Sequence, residues 1–200
     1  MSKLILFDLG GVVVDWTGIT ELAALSGLSR EEAAKRFASS QVSLAYERGE
    51  ISDDVFSDHM IELFGLPFTR AQFKLQWRLW VGQPFDGVVD MIKGLRGHFT
   101  TACLSNTNAM HWDHLLSYLP LEPMFDHIFA SHQIAAVKPH AHCYQIVIDR
   151  TGFKAQDIVF FDDTQANVDA AKALGMTAYK VQSDVGVMPT IRSILPQLSS

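Results

Sequence analysis

Leu4-Ile5-Leu6-Phe7-Asp8-Leu9-Gly10-Gly11-Val12-Val13-Val14-Asp15 is the stretch from which the fold of this chain is read. Four apolar residues end in one carboxylate, and two glycines follow. Such a run reads as a buried strand over residues 3–8, with the acid at its carboxyl end and a glycine turn after it. In open α/β sheets, ligands bind outside the carboxyl ends of the strands. Asp8 is therefore the first candidate for chemistry, and the rest of the chain is read for its partners.

From Thr17 to about Trp80 the apolar spacing is helical, with no convincing strand. Ser29-Arg30-Glu31-Glu32 and Thr69-Arg70-Ala71-Gln72 both have the form of a capping box, which opens a helix by satisfying its free N–H groups. Gly27, Gly49 and Gly65 punctuate the helices. Residues 15–83 thus read as an α-helical cap inserted into a core made of residues 1–14 and 84–200. After Pro84, helix and strand alternate. A helix over Phe85–Arg96 precedes a strand over Phe99–Leu104, and another helix begins near Ala109. A short strand at His127–Ala130 and a helix at His142–Arg150 follow. Next come a strand at Asp157–Phe161, a helix at Gln165–Leu174 and a strand at Thr177–Val181. Strands separated by helices predict a parallel sheet with right-handed crossovers, a Rossmann-like α/β core.

The 200 residues suffice for one such core with a modest insertion. Hydrophobic residues make up 48% and charged residues 19%, which excludes wholesale disorder. The formal net charge of −6 and the lack of any Lys/Arg run argue against nucleic acid as a partner. No apolar stretch approaches membrane-spanning length. Two cysteines, Cys103 and Cys143, make no disulfide framework, and the apolar N-terminus is interrupted by Asp8. A cytoplasmic monomer or homodimer is the expectation.

Four strand ends carry polar groups: Asp8, Ser105-Asn106-Thr107-Asn108, Lys138-Pro139 and Asp162-Asp163. Each alone has an ordinary reading as a turn, a helix cap, a loop or a helix start. Together they supply a carboxylate nucleophile, a hydroxyl and amides for anionic oxygens, a cation, and an acidic pair for a hard metal. Phosphoryl transfer needs that inventory of positioning and charge neutralisation. The eight histidines offer a weaker case. His111 and His114 stand three apart, His140 and His142 follow Lys138-Pro139, and no Cys/His spacing matches a zinc site.

In order and spacing these four segments resemble the motifs of the haloacid dehalogenase superfamily, across nearly the whole chain. Phe161-Asp162-Asp163-Thr164-Gln165-Ala166-Asn167 is the most specific of them. The resemblance implies that Asp8 is the nucleophile of a phosphatase. Ser105 would bind the transferring phosphoryl group with Asn106 beside it, and Lys138 would balance the charge on both. It also implies Mg²⁺ held by Asp8, the Gly10 carbonyl and Asp163, with Asp162 a direct or water-mediated ligand. Most of these phosphatases read Asp-x-Asp where this chain reads Asp8-Leu9-Gly10. Glycine keeps the carbonyl but deletes the usual general acid/base, a group worth about 10²–10⁴ in rate. A leaving group of low pKa needs less of that help. Asp-Leu-Gly resembles a subgroup of small bacterial phosphatases that includes an α-D-glucose-1-phosphate phosphatase. That likeness extends to Glu47-Arg48-Gly49-Glu50-Ile51-Ser52. The expected partner is therefore a small phosphorylated molecule such as a sugar phosphate. A 2-haloacid dehalogenase, or a noncatalytic binding protein that lost activity at Gly10, are the alternatives. Asp162-Asp163 speaks against the dehalogenase, which needs no metal.

Overall fold

The computed structural model describes residues 3–198. Its centre is a parallel five-stranded sheet in the order β5-β4-β1-β6-β7. The strands are β1 (Leu4–Phe7), β4 (Thr100–Ser105), β5 (His127–Ala130), β6 (Ile158–Asp162) and β7 (Thr177–Lys180). The opening strand sits in the middle, level with β4 on one side and β6 on the other. Its four residues are fully buried, as an uninterrupted apolar run requires.

Successive side chains of a strand point to opposite faces, and two apolar clusters result. Ile5, Phe7, Val159 and Phe161 join one cluster, closed by α6 (Val88–Leu95), α7 (Ala109–Leu116) and α11 (Met188–Leu198). Leu4, Leu6, Ile158 and Phe160 join the other, closed by α9 (Ala141–Thr151) and α10 (Gln165–Ala173). The sheet is thus covered on both faces, the Rossmann-like α/β arrangement that alternating helix and strand predict.

Five helices fall within residues 17–80: α1 (Gly18–Ser26), α2 (Arg30–Ser39), α3 (Gln41–Glu47), α4 (Asp53–Phe64) and α5 (Arg70–Leu79). Both capping boxes are formed, with Ser29 N–H donating to Glu32 (3.0 Å) and Thr69 N–H donating to Gln72 (2.9 Å). These helices bury a third cluster, including Phe56, Met60, Phe73 and Trp77. The Tyr46 and Phe56 rings stack at its centre, 4.0 Å apart.

Three features depart from the sequence reading. Residues 15–83 are flanked by a small antiparallel pair, β2 (Val14–Trp16) and β3 (Val81–Pro84). These strands are too short to show alternation, and Gly82 and Pro84 disguise the second. The helix expected from Phe85 starts at Val88, because Phe85, Asp86 and Gly87 form the turn that enters it. The chain also ends in a further helix, α11, whose Ile191 and Ile194 reach the core. Between β5 and α9 the short helix α8 (Ser131–Ile134) follows directly on the strand.

Phe56 is fully buried against Tyr46, Phe73 and Trp77. Phe56→Ala should cost about 3–5 kcal/mol, since the surrounding rings cannot collapse into the space. Denaturant unfolding measures it, and a loss under about 1 kcal/mol would contradict this packing.

Candidate active site

Phe7 is level with Phe161 of β6 and with Cys103 of β4. Asp8 and Asp162 therefore leave the sheet side by side, and Ser105 ends the neighbouring strand. The Asp8 N–H donates to the Phe161 carbonyl (2.9 Å), which carries the strand pairing one step past β1. Its own Oδ1 accepts the Leu9 N–H (2.7 Å). The carboxylate is thus fixed by the backbone on which it stands.

Lys138 reaches the same edge from the loop before α9. Its Nζ lies 2.9 Å from Asp8 Oδ1 and 2.6 Å from Asp162 Oδ2, and its side chain is 0% exposed. Asn106 holds that loop at both ends of one residue: its Oδ1 accepts the Lys138 N–H (2.9 Å) and its Nδ2 donates to the Lys138 carbonyl (3.0 Å). Asp162 is fully buried. Besides Lys138 it accepts from the Thr164 N–H (2.8 Å) and from Asn167 Nδ2 (3.0 and 3.1 Å). Its role in the geometry is to hold the ammonium. Burial works against the Lys138 charge, but Asp162 and Asp8 outweigh it and raise the ammonium above the usual lysine range.

Asp8, Asp162 and Asp163 each offer an oxygen within 4.8 Å of the others. Burial pushes the Asp8 carboxyl up; Lys138 pulls it down, and Asp162 and Asp163 raise it further. Asp163 is raised by burial and by Asp162. Three acids against one ammonium leave excess negative charge on hard oxygen donors. A divalent cation of the Mg²⁺ or Ca²⁺ type fits that set. Gly11 keeps the turn close to it: its φ is +70°, and a Cβ there would lie 2.6 Å from Asp163 Oδ2. Gly10 is different. Its backbone lies outside the left-handed region, and a Cβ would make ordinary contact with Trp16 Cβ at 3.4 Å. Nothing in the backbone therefore forbids a side chain at position 10.

These groups open into a cavity of about 1230 Å³. Asp8, Gly10, Ser105, Asn106, Lys138 and Asp163 line its floor, and Trp16 of β2 with Ile19, Phe37, Leu44, Glu47 and Trp77 of the helices line the opposite side. The sequence-expected site residues are thus brought together, with Asp162 just behind Lys138.

Two residues that the sequence reading did not place join the helices to the core. His111 Nε2 meets the Trp77 carbonyl at 2.7 Å, and its Nδ1 meets Asn108 Nδ2 at 3.1 Å. A carbonyl only accepts and an amide nitrogen only donates, so the proton sits on Nε2 and the ring is neutral. The ring also stacks on Trp77, with centroids 4.7 Å apart. Ser131 Oγ accepts from the Thr107 N–H (2.9 Å) and donates to the Glu47 carbonyl (2.6 Å). The two bonds that reach the helices, His111 to the Trp77 carbonyl and Ser131 to the Glu47 carbonyl, go to the backbone of distant residues and leave no mark in sequence.

Burial drives the His111 pKa down to about 3. The unfolded ring takes its proton near pH 6.5 and the folded ring does not, so folding stability falls as pH drops from about 6.5 towards 3. His111→Gln should flatten the pH dependence of stability in that window relative to wild type. Equal slopes in denaturant titrations of the two proteins would refute the neutral-seam assignment.

A family model for haloacid dehalogenase-like hydrolase matches residues 2–175. The chain is 27% identical over 192 residues to the D-ribitol-5-phosphate phosphatase of Bacteroides thetaiotaomicron, covering 92% of this chain and 93% of that one. It is 24% identical over 198 residues to the sesquiterpene phosphatase astK of Aspergillus oryzae, covering 96% of each. Among solved structures it resembles a haloacid dehalogenase family enzyme of Bacteroides thetaiotaomicron in complex with magnesium and inorganic phosphate. The TM-score is 0.74 at 23% identity, over 90% of this chain and 94% of that one. With the family model spanning most of its length and a carboxylate–lysine–carboxylate cluster at the carboxyl edge of its sheet, the chain belongs to the haloacid dehalogenase-like hydrolases.

Proposed function

We propose that this hydrolase is a Mg²⁺-dependent phosphatase that cleaves a small phosphomonoester through an aspartyl-phosphate on Asp8. The observation that carries the reading is Asp8 held between Lys138 and a further acid, Asp163, on the floor of an open cavity. The phosphatases among its relatives support the reaction class. An acidic trio has no part in displacing halide from carbon, so the site gives the dehalogenase alternative no support.

In this reading Lys138 favours the ionised form of Asp8 and aims it, and Ser105 binds the phosphoryl oxygens with Asn106 beside it. Asp8 attacks phosphorus, the ester oxygen departs, and water then hydrolyses the acyl-phosphate. Splitting the reaction this way replaces one difficult step with two easier ones. Asp8, the Gly10 carbonyl and Asp163 would hold Mg²⁺, with Asp162 reaching it through water because its own oxygens already accept from Lys138, Thr164 and Asn167. Bound there, the ion would neutralise the phosphate that an anionic carboxylate must approach. The helical block over residues 15–83 acts as a cap that walls off the leaving group and excludes water.

The leaving-group wall combines the half-buried aromatic ring of Trp16 with the charged groups of Arg30 and Glu47. Aromatic faces suit the C–H face of a sugar, and charged groups suit its hydroxyls. We therefore assign a sugar or sugar-alcohol phosphate, the class to which the ribitol-5-phosphate phosphatase relative belongs by name. A panel of phosphorylated metabolites tests the class: sugar phosphates should outrun a prenyl phosphate in kcat/KM. The reverse ranking would replace it with an apolar ester.

Asp8→Asn should abolish turnover while leaving the fold and binding of inorganic phosphate intact. Wild-type-like activity in that variant would end the covalent mechanism. EDTA should remove activity and added Mg²⁺ restore it, and full activity in EDTA would rule out the metal.

A further inference from the structure

The proposed phosphatase lacks a proton donor at Gly10, and its cavity holds two carboxyl groups that the mechanism above does not use: Asp184, exposed on a loop of the core, and Glu47 on the helical side. Among the lining residues that the helices contribute, Glu47 is the single acid. It is the last residue of α3, where the segment Glu47-Arg48-Gly49-Glu50 turns against the core. Two contacts seat that turn. Ser131 donates to the Glu47 carbonyl at 2.6 Å. Gly49, at φ +73°, passes so close to α8 that a Cβ would lie 2.5 Å from the His132 carbonyl oxygen. Arg48 is directed elsewhere, with its guanidinium paired to Glu50 at 2.6 and 2.8 Å. The Glu47 backbone is thus anchored to the core. Its carboxyl takes no hydrogen bond or ion pair among the described residues, although Lys138 is near enough to pull on its charge.

We infer that Glu47 is the general acid/base of this enzyme, supplied by the cap in place of the missing carboxylate at Gly10. This rests on the phosphatase reading. In the first step Asp8 forms a bond to phosphorus, the P–O bond to the alcohol breaks, and the Glu47 proton goes to the departing oxygen. The products are the Asp8 acyl-phosphate, a neutral alcohol and the Glu47 carboxylate. In the second step that carboxylate takes a proton from the attacking water. The Asp8–phosphorus bond breaks, releasing inorganic phosphate and regenerating both side chains. Burial pushes the Glu47 carboxyl up to about 7, against the pull of Lys138 and Arg48. A group with such a pKa can both give and take a proton near neutral pH. A donor on the cap also acts only where the helices stand over the floor, which ties proton transfer to the state that excludes water.

The test is kcat/KM for wild type and Glu47→Gln across a series of phosphomonoesters, from aryl esters to primary alkyl esters. This ratio reports the steps up to the first irreversible one, so slow hydrolysis of the acyl-phosphate does not mask the result. The alkyl esters should lose about 10²–10⁴ in the variant, while the aryl esters, which depart unaided, stay near wild type. Dependence on leaving-group pKa should steepen accordingly. Adding Gly10→Asp to Glu47→Gln should restore part of the alkyl rate, because a Cβ at position 10 has room. An unchanged series, or a uniform fall without rescue by Gly10→Asp, overturns the assignment of Glu47 and leaves the phosphatase reading standing. A wild-type protein that cleaves none of the esters overturns both.

Discussion

The buried ammonium of Lys138 is the constraint around which this molecule is arranged. A cation with no exposed surface needs its counter-charges, and it has them in Asp8 and Asp162, each at the end of a neighbouring strand. Removing one partner from such a buried pair typically costs about 3–5 kcal/mol, because the remaining charge stays without solvent. The ion pair therefore ties the register of β1 and β6 to the loop before α9. Asn106, at the end of β4, clamps the backbone of the same lysine. Three strand ends and one loop are locked by a single side chain and its peptide groups. The Asp8 carboxylate is pre-aimed as a consequence, which is what the proposed nucleophile requires if no reorganisation is left for the moment of reaction.

A second organising feature is the seam between helices and sheet. It is polar but short of charge: His111 to the Trp77 carbonyl, Ser131 to the Glu47 carbonyl, and the Tyr118 hydroxyl to the Gly82 carbonyl at 2.6 Å. Each is a neutral hydrogen bond, of a kind whose net worth is about 0.5–1.5 kcal/mol. Neutral bonds to carbonyls can break and re-form on water without stranding a charge. That makes the seam compatible with a cap that admits a substrate and then covers it.

The parts of this fold legible in sequence are those written in one-dimensional pattern. Apolar runs ending at Asp8, Leu104 and Phe161 marked buried strands, and the polar residues beyond them marked one edge of a parallel sheet. The capping boxes at Ser29 and Thr69 were legible because a cap is a contact between residues three apart. What stayed hidden depends on residues far apart in the chain. Nothing near Asp162 shows that its oxygens are taken up by Lys138, Thr164 and Asn167. His111 looked like half of a histidine pair, but a carbonyl in the cap and an amide beside it explain it better. β2 and β3 were invisible for another reason: strands of three and four residues, one of them ending in proline, carry too few positions for a period to register. Glu47 sat in a segment whose likeness to other phosphatases was evident, though its facing into the cavity was not.

The central place of β1 has a consequence for the order in which the protein is assembled. Leu4 is level with Thr100 on one side and Ile158 on the other. A chain emerging from the ribosome thus makes β1 before either partner and leaves it unpaired until β4 appears. It remains open on its second edge until β6 is out. Helices α1 to α5 in between pack chiefly on one another and can settle during that wait, since local contacts form faster than distant ones. An apolar edge exposed for so long invites mispairing with other chains. Asp8, at the tip of that edge, places a charge where a foreign strand would add. The same carboxylate that serves the finished site is thus positioned to guard the unfinished sheet.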